Sequence, residues 1–497
     1  MSALGLPNGV RARAALAVAA ALLLAGCAVG PDFKKPAPPQ VTGYASPMAP
    51  LPAKTASADV PAGDAQRFVE DRDVPGDWWT LFHSKALDAL VEEALKANPD
   101  LAAAQAALRE ARENVAAEDG ALFPTVKANG GLSRQKSSLA QSGTKLAYSL
   151  YNANVAVSYA PDVFGGTRRE IESLEAEADY QRFQLEATYL TLTSNVTAAA
   201  MQEASLRAQI EATREIVKDE SAQLDVVKQQ FELGGVSRAD VLSQQSTLAQ
   251  TEATLPPLEK SLAQERNQIM AYTGRYPSQD QGGRFELAAL TLPGDLPVSL
   301  PSKLVEQRPD VRAAEAQLHA ASAEIGVAIA NELPQFAIGA GYGGAGSTIA
   351  NLFSPANIVW SIAGSAAQTI FDGGTLLHKR RAADAAFDQA AAQYRSTVLA
   401  AFQNVADALR ALQYDAVALK ADTEAERAAA DSLELSREQF KAGAVTYLTL
   451  LNAEQAYQNT RITLVKAEAA RFTDTVALFQ ALGGGWWHRA DVAARGE

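Results

Sequence analysis

The sequence predicts a mainly α-helical chain, duplicated within itself, with a smaller β portion suited to a membrane barrel. Three observations predict it. Apolar residues recur at heptad spacing along two very long stretches. The same grammar appears twice at an offset near 210 residues. Short runs of apolar and polar alternation stand at matching places in the two halves.

The elements follow in chain order. Arg11 and Arg13 precede an apolar run, Ala14 to Ala25, that is too short to span a bilayer and reads as an export signal. It ends in Leu24-Ala25-Gly26-Cys27, which resembles the lipobox of bacterial lipoproteins, where the cysteine is freed and lipidated. Cys27 is the only cysteine of the 497 residues, so no intrachain disulfide is possible. Ala28 rather than Asp after it points to the outer membrane. Residues 1–26 hold two of the 44 basic residues and none of the 57 acidic ones, which leaves the mature chain at −15. Such an acidic chain repels nucleic acid and anionic lipid surfaces. No apolar run long enough for a membrane helix follows the signal, so a membrane crossing requires a closed β-barrel.

Pro31, Pro36, Pro38, Pro39, Pro47, Pro50, Pro52 and Pro61 give an extended leash. The body then repeats. Asn98-Pro99-Asp100-Leu101 recurs as Arg308-Pro309-Asp310-Val311, Pro124 as Pro334, Phe164-Gly165-Gly166 as Phe371-Asp372-Gly373-Gly374, and Phe231 with Gly234 as Phe440 with Gly443. Each half predicts a helix opening at the Pro-Asp pair, two strands, a very long helix, a glycine turn and a returning helix. The expected divisions are a signal peptide (1–26), a lipid anchor and leash (27–64), a first repeat (65–298, helical hairpin 167–275), a second repeat (299–485, hairpin 374–482) and a C-terminal tail (486–497).

Leu192, Val196, Ala199, Glu203, Leu206, Ile210, Val217, Leu224, Val227 and Phe231 share one heptad frame. Val398, Phe402, Val405, Leu409, Leu412, Ala416, Leu419, Leu433 and Phe440 share another. The returning helices show Val241, Leu248, Leu255, Leu262 and Ile269, and Leu450, Tyr457, Leu464 and Leu478, at multiples of seven. This period means left-handed coiled-coil packing, and Thr167 to Leu233 as one helix would be about 100 Å long. Pro256-Pro257 predicts a break in the first returning helix. Strands are expected near Thr125–Arg134, 155–160, 336–343 and 358–363, with bulky residues on one face and small or polar ones on the other. Four strands cannot close a channel, and their edges would be unsatisfied in lipid, so other copies of the chain must complete the barrel.

Chemistry-bearing constellations are missing. His83, His319, His378 and His488 are scattered without metal-ligand spacing, and no nucleophile or Walker pattern occurs, so neither an enzyme nor a cofactor is expected. Gly341-Tyr342-Gly343-Gly344-Ala345-Gly346 satisfies GxGxxG, but no helix pattern follows, and it is expected to be a flexible extracellular β-loop. Trp78-Trp79 and Trp486-Trp487 are expected to pack where the termini wrap the helical body.

Cys27-Ala28-Val29-Gly30-Pro31-Asp32-Phe33, Trp78-Trp79, the Asn-Pro-Asp helix start, Leu255-Pro256-Pro257-Leu258 and Ala481-Leu482-Gly483-Gly484-Gly485-Trp486 together resemble the TolC-type outer-membrane efflux factor family, in its OprM/NodT branch. The resemblance covers essentially the whole mature chain. It implies a homotrimer with a 12-stranded β-barrel, four strands per chain, above a periplasmic α-helical barrel. It implies a lipid-anchored outer-membrane location and a passive conduit for small toxic compounds. The implied partners are a periplasmic adaptor, an inner-membrane pump of RND type and outer-membrane lipid, without nucleic acid. It also implies adaptor docking at Gly234, Gly235, Val236 and Ser237 and at Gly443, Ala444, Val445 and Thr446. A periplasmic gate is implied in the first turns of the last helix, where Leu448 fits a hydrophobic ring. Thr449 and Asn452 stand where relatives often carry Asp. Two alternatives are a channel for type I protein secretion and a non-channel envelope lipoprotein.

Overall fold

The computed structural model describes residues 28–136, 147–280, 282–489 and 492; Cys27, the signal segment and most of the tail beyond Arg489 lie outside them. The strands are β1 (Arg67–Glu70), β2 (Thr125–Lys136), β3 (Ala147–Tyr159), β4 (Asp295–Val298), β5 (Gln335–Gly346) and β6 (Ile358–Ala367). The α-helices are α1 (Lys85–Ala97), α2 (Pro99–Asp119), α3 (Gly166–Glu232), α4 (Arg238–Glu252), α5 (Leu255–Tyr272), α6 (Pro301–Gln307), α7 (Pro309–Asn331), α8 (Thr375–Lys441) and α9 (Tyr447–Ala481). Helices α3 and α8 each run 67 residues without interruption. The first returning helix breaks between α4 and α5, and Pro256 and Pro257 occupy the first turn of α5, where a missing N–H costs nothing.

The chain forms two compact units. Of the described residues, one comprises 28–36, 107–136, 147–182 and 313–395. Its sheet is antiparallel in the order β2-β3-β5-β6. The first-half hairpin joins the second-half hairpin through β3 and β5, with Val155 opposite Tyr342 and Tyr159 opposite Ile338. Gly341–Gly346 belongs to β5 rather than to a loop, because Gly341, Gly343 and Gly344 pair with Ser361, Val359 and Ile358 of β6. Asp162 accepts from the backbone N–H groups of Thr167 and Arg168 at the start of α3, and Asp372 does so from Thr375 and Leu376 at the start of α8. The segment after Cys27 is pinned to this unit. Arg169 donates to the Val29 carbonyl (3.1 Å) and pairs with Asp32 (2.7 Å), and Phe33 stacks on His319 at 4.3 Å.

The second unit comprises the described residues within 37–106, 183–312 and 396–492. It contains a two-stranded parallel sheet of β1 and β4 that the sequence does not announce, since each strand has only four residues. Asn98 caps α2 through its side-chain oxygen, which accepts from Asp100 and Leu101. The core carries Trp78, Phe82, Phe472 and Phe479, all fully buried. Trp78 packs on Phe479, and Trp486 donates to the Gln307 carbonyl at 2.7 Å, so both tryptophan pairs pack as expected. Most predicted seam residues of α3 and α8 are buried, including Val196, Leu206, Val227, Val405, Leu412 and Leu419. Phe231 is an exception and stays exposed in the protomer, and Val241, Leu248, Leu255 and Leu262 of the first returning helix are half-buried.

Candidate functional site: a two-faced sheet and two hairpin tips

Strand register decides which side chains share a face, because directly paired residues point the same way and neighbours in sequence point oppositely. Val126 pairs with Val157, Val155 with Tyr342, and Tyr342 with Trp360. That face therefore carries Val126, Val155, Val157, Ile338, Tyr342, Trp360 and Ile362. Trp360 and Ile362 are 72% and 75% exposed. The opposite face carries Lys127, Asn129, Asn152, Asn154, Gly341, Ser361 and Ser365, through pairs such as Lys127 with Ala156 and Gly341 with Ser361. One side suits hydrocarbon and the other suits water. Among the described residues, β2 and β6 each pair on one side only, which leaves two open edges.

The hairpin tips are built by glycine caps. Gly234 sits in the left-handed region (φ 77°), and the Gly235 N–H reaches back to the Gln230 carbonyl at 2.7 Å. Gly443 (φ 72°) repeats the turn, with the Ala444 N–H on the Gln439 carbonyl at 2.8 Å. Ser237 then caps α4 in a reciprocal box with Asp240. Thr446 caps α9, and at the position equivalent to Asp240 stands Thr449, whose hydroxyl lies 3.1 Å from that of Thr446. Of the residues expected at the tips, Gly234, Gly235, Ser237, Gly443, Ala444 and Thr446 are exposed. Val236 and Val445 are half-buried and pack against the cluster of Val227, Phe440, Tyr447 and Leu450.

The first turns of α9 are sharply divided. Leu448 is 62% exposed, and Thr449 and Asn452 lie on the same open face. Tyr447, Leu450, Leu451 and Glu454 are buried on the other. Sequence reasoning did not assign a role to the buried charged residues of these helices. Glu220 falls on the α3 heptad frame, and Glu454 and Arg471 fall on that of α9, and all three are buried. The readable signal was a charged residue at a core position of a seven-residue repeat.

Comparison with known proteins decides the family. The model described as "Outer membrane efflux protein" matches residues 90–275 and 300–484. The chain belongs to the outer membrane efflux protein family. Among its relatives, the pyoverdine export outer membrane protein OpmQ of Pseudomonas putida is 30% identical, over 87% of this chain and 92% of that one. The probable efflux pump outer membrane protein TtgC of the same species is 29% identical over 95% and 96%. The solved outer-membrane channel OprN is 26% identical, with a TM-score of 0.82, over 93% of this chain and all of that one. The fold is thus that of TolC-type outer-membrane channels, and the protein is an outer-membrane efflux channel subunit.

Proposed function

We propose that this outer membrane efflux protein works as a homotrimer and conducts small toxic compounds, without doing chemistry, from an inner-membrane pump of RND type through a periplasmic adaptor. The two-faced sheet with open edges carries the proposal. Four strands bury no lumen, and unpaired edges are costly in hydrocarbon, so further copies must supply the neighbours. Exposed apolar side chains on the long helices, among them Leu399, Tyr414, Val417 and Leu435, support the same conclusion, since neighbouring copies would cover them. The duplicated halves, 65–298 and 299–485, would each give one strand hairpin and one helical hairpin to the assembly.

The cargo reading rests on the names of the relatives, which are efflux-pump and pyoverdine-export outer membrane proteins. The tips at Gly234–Ser237 and Gly443–Thr446 are the proposed adaptor contacts. Leu448, Thr449 and Asn452 are the proposed gate, because they form the open face at the start of α9. Lipidation of Cys27 is proposed from the lipobox, and radiolabelled palmitate should enter the wild-type protein but not Cys27→Ala. Deleting the gene should increase susceptibility within a broad antibiotic, dye and solvent panel. Unchanged susceptibility throughout, together with no conductance of the purified protein in planar bilayers, would refute the function.

A further inference from the structure

The heptad frames that pack the helices carry polar residues near the tips, and these converge. Glu220 of α3, Gln244 and Thr251 of α4, and Tyr447, Glu454 and Gln458 of α9 form one polar layer inside the helical bundle. The Gln244 amide donates to the Glu220 carbonyl at 3.3 Å, and its side-chain oxygen accepts from the Tyr447 hydroxyl. One carboxylate oxygen of Glu220 accepts from Thr251 at 3.1 Å and from the Gln458 amide. The supply of donors ends there. The other Glu220 oxygen and both oxygens of Glu454 are buried without a hydrogen-bond partner. Glu220 and Glu454 are each only 2% exposed.

A buried carboxylate with no donor is strongly disfavoured in its charged form. A proton removes the charge and supplies a donor where the carboxylate has none. We infer that Glu454 is a proton-binding site that locks the second helical hairpin against the first, and that losing the proton loosens α9 and favours opening of the channel. This inference rests on the channel reading.

The surroundings agree in sign. Glu220 and Asp219 of α3 act on Glu454 with like charge. Arg437 of α8 opposes them, but it is engaged by Asp219 at 3.3 Å. The Gln244 amide of α4 lies beside Glu454 and favours its charged form without closing a hydrogen bond. Asp240 of α4 bears on Tyr447, the titratable neighbour on α9 itself. Burial dominates and pushes Glu454 up to about 7. An acid raised in the packed state stabilises that state while protonated. Its contribution is complete below the ordinary carboxylate range, declines as pH rises and is lost above about 7. The packed-to-loosened ratio can change by at most roughly 300-fold over that range.

The test uses the purified full-length protein. Hydrogen exchange of residues 447–458, corrected for the intrinsic pH dependence, is measured at pH 6 and pH 8, and leak conductance is recorded in planar bilayers at the same values. Wild type should lose roughly five- to tenfold in protection at pH 8 and gain severalfold in conductance. Glu454→Gln and Glu454→Leu, both neutral at each pH, should show no such pH response. Unchanged wild-type protection, or a wild-type pH response in both variants, overturns the inference. If no pore conducts at either pH the channel reading fails, and the exchange measurement still decides the proton site.

Discussion

Ile362 and Ala363 are adjacent in sequence, yet they should respond oppositely to the same substitution. Ile362 lies on the apolar face of β6 and is 75% exposed in the protomer; Ala363 pairs with Gly339 on the polar face. Ile362 is also central. It stands four residues from Ile358 and five from Ala367, which places it about 13 Å and 17 Å from the strand ends. With strands tilted as in other barrels, that depth is close to the bilayer midplane, where a lysine on the lipid face costs about 2–4 kcal/mol. Ile362→Lys should therefore lower the assembled fraction roughly 30- to 700-fold for each protomer, compounded over the proposed trimer. Ala363→Lys meets water in the lumen, and its cost should stay within about 0.5 kcal/mol. The assay is the yield of heat-resistant oligomer in outer-membrane fractions, with its dissociation temperature on gels. Ala363→Lys should also reduce cation flux, because it adds positive charge to the pore wall. Equal assembly of the two variants, or selective loss of Ala363→Lys, would refute the assignment of faces.

Three further outcomes are expected. Gly443→Pro forbids the left-handed turn and removes the N–H that donates to the Phe440 carbonyl, so adaptor crosslinking and drug resistance should be lost while the oligomer persists. Leu448→Ala should raise leak conductance, and Asn452→Asp should raise cation selectivity, both read in planar bilayers; if neither changes, the gate lies elsewhere. Asp474 is held above the ordinary carboxylate range, first by burial and then by Asp415, with which it shares a hydrogen bond. A raised acid favours the folded state while protonated, so wild-type stability should fall as pH rises above that range. Asp474→Asn should flatten this decline in melting curves, and an unchanged slope would count against a shared proton.

The seven-residue period made both 67-residue helices legible, because a coiled-coil seam repeats locally whatever lies across it. The glycine turns were legible for a similar reason, since Gly234 and Gly443 follow the last seam residues and supply a backbone conformation that other residues avoid. The period-two segments located the central and edge strands, but the run of glycines at 341–346 hid the end of β5, where side chains no longer alternate. The parallel pairing of β1 with β4 left no trace, because four residues carry too little pattern and their partners lie more than 200 positions away.

Periodicity, caps and duplication are properties of neighbouring residues, and the sequence by itself determined them: the helices, their reversals, the break at Pro256-Pro257 and the two-faced strands. The charged residues on the seams were in plain view, but not their fate. Glu220, Glu454 and Arg471 could have been solvated, paired across the bundle or buried without enough donors. Only the tertiary structure decided this, by placing Gln244, Thr251, Tyr447 and Gln458 around two of them and Thr55, Asp64 and Gln66 around the third. The free energy of a buried charge depends on which donors distant parts of the chain bring within about 3 Å, and no local pattern records that.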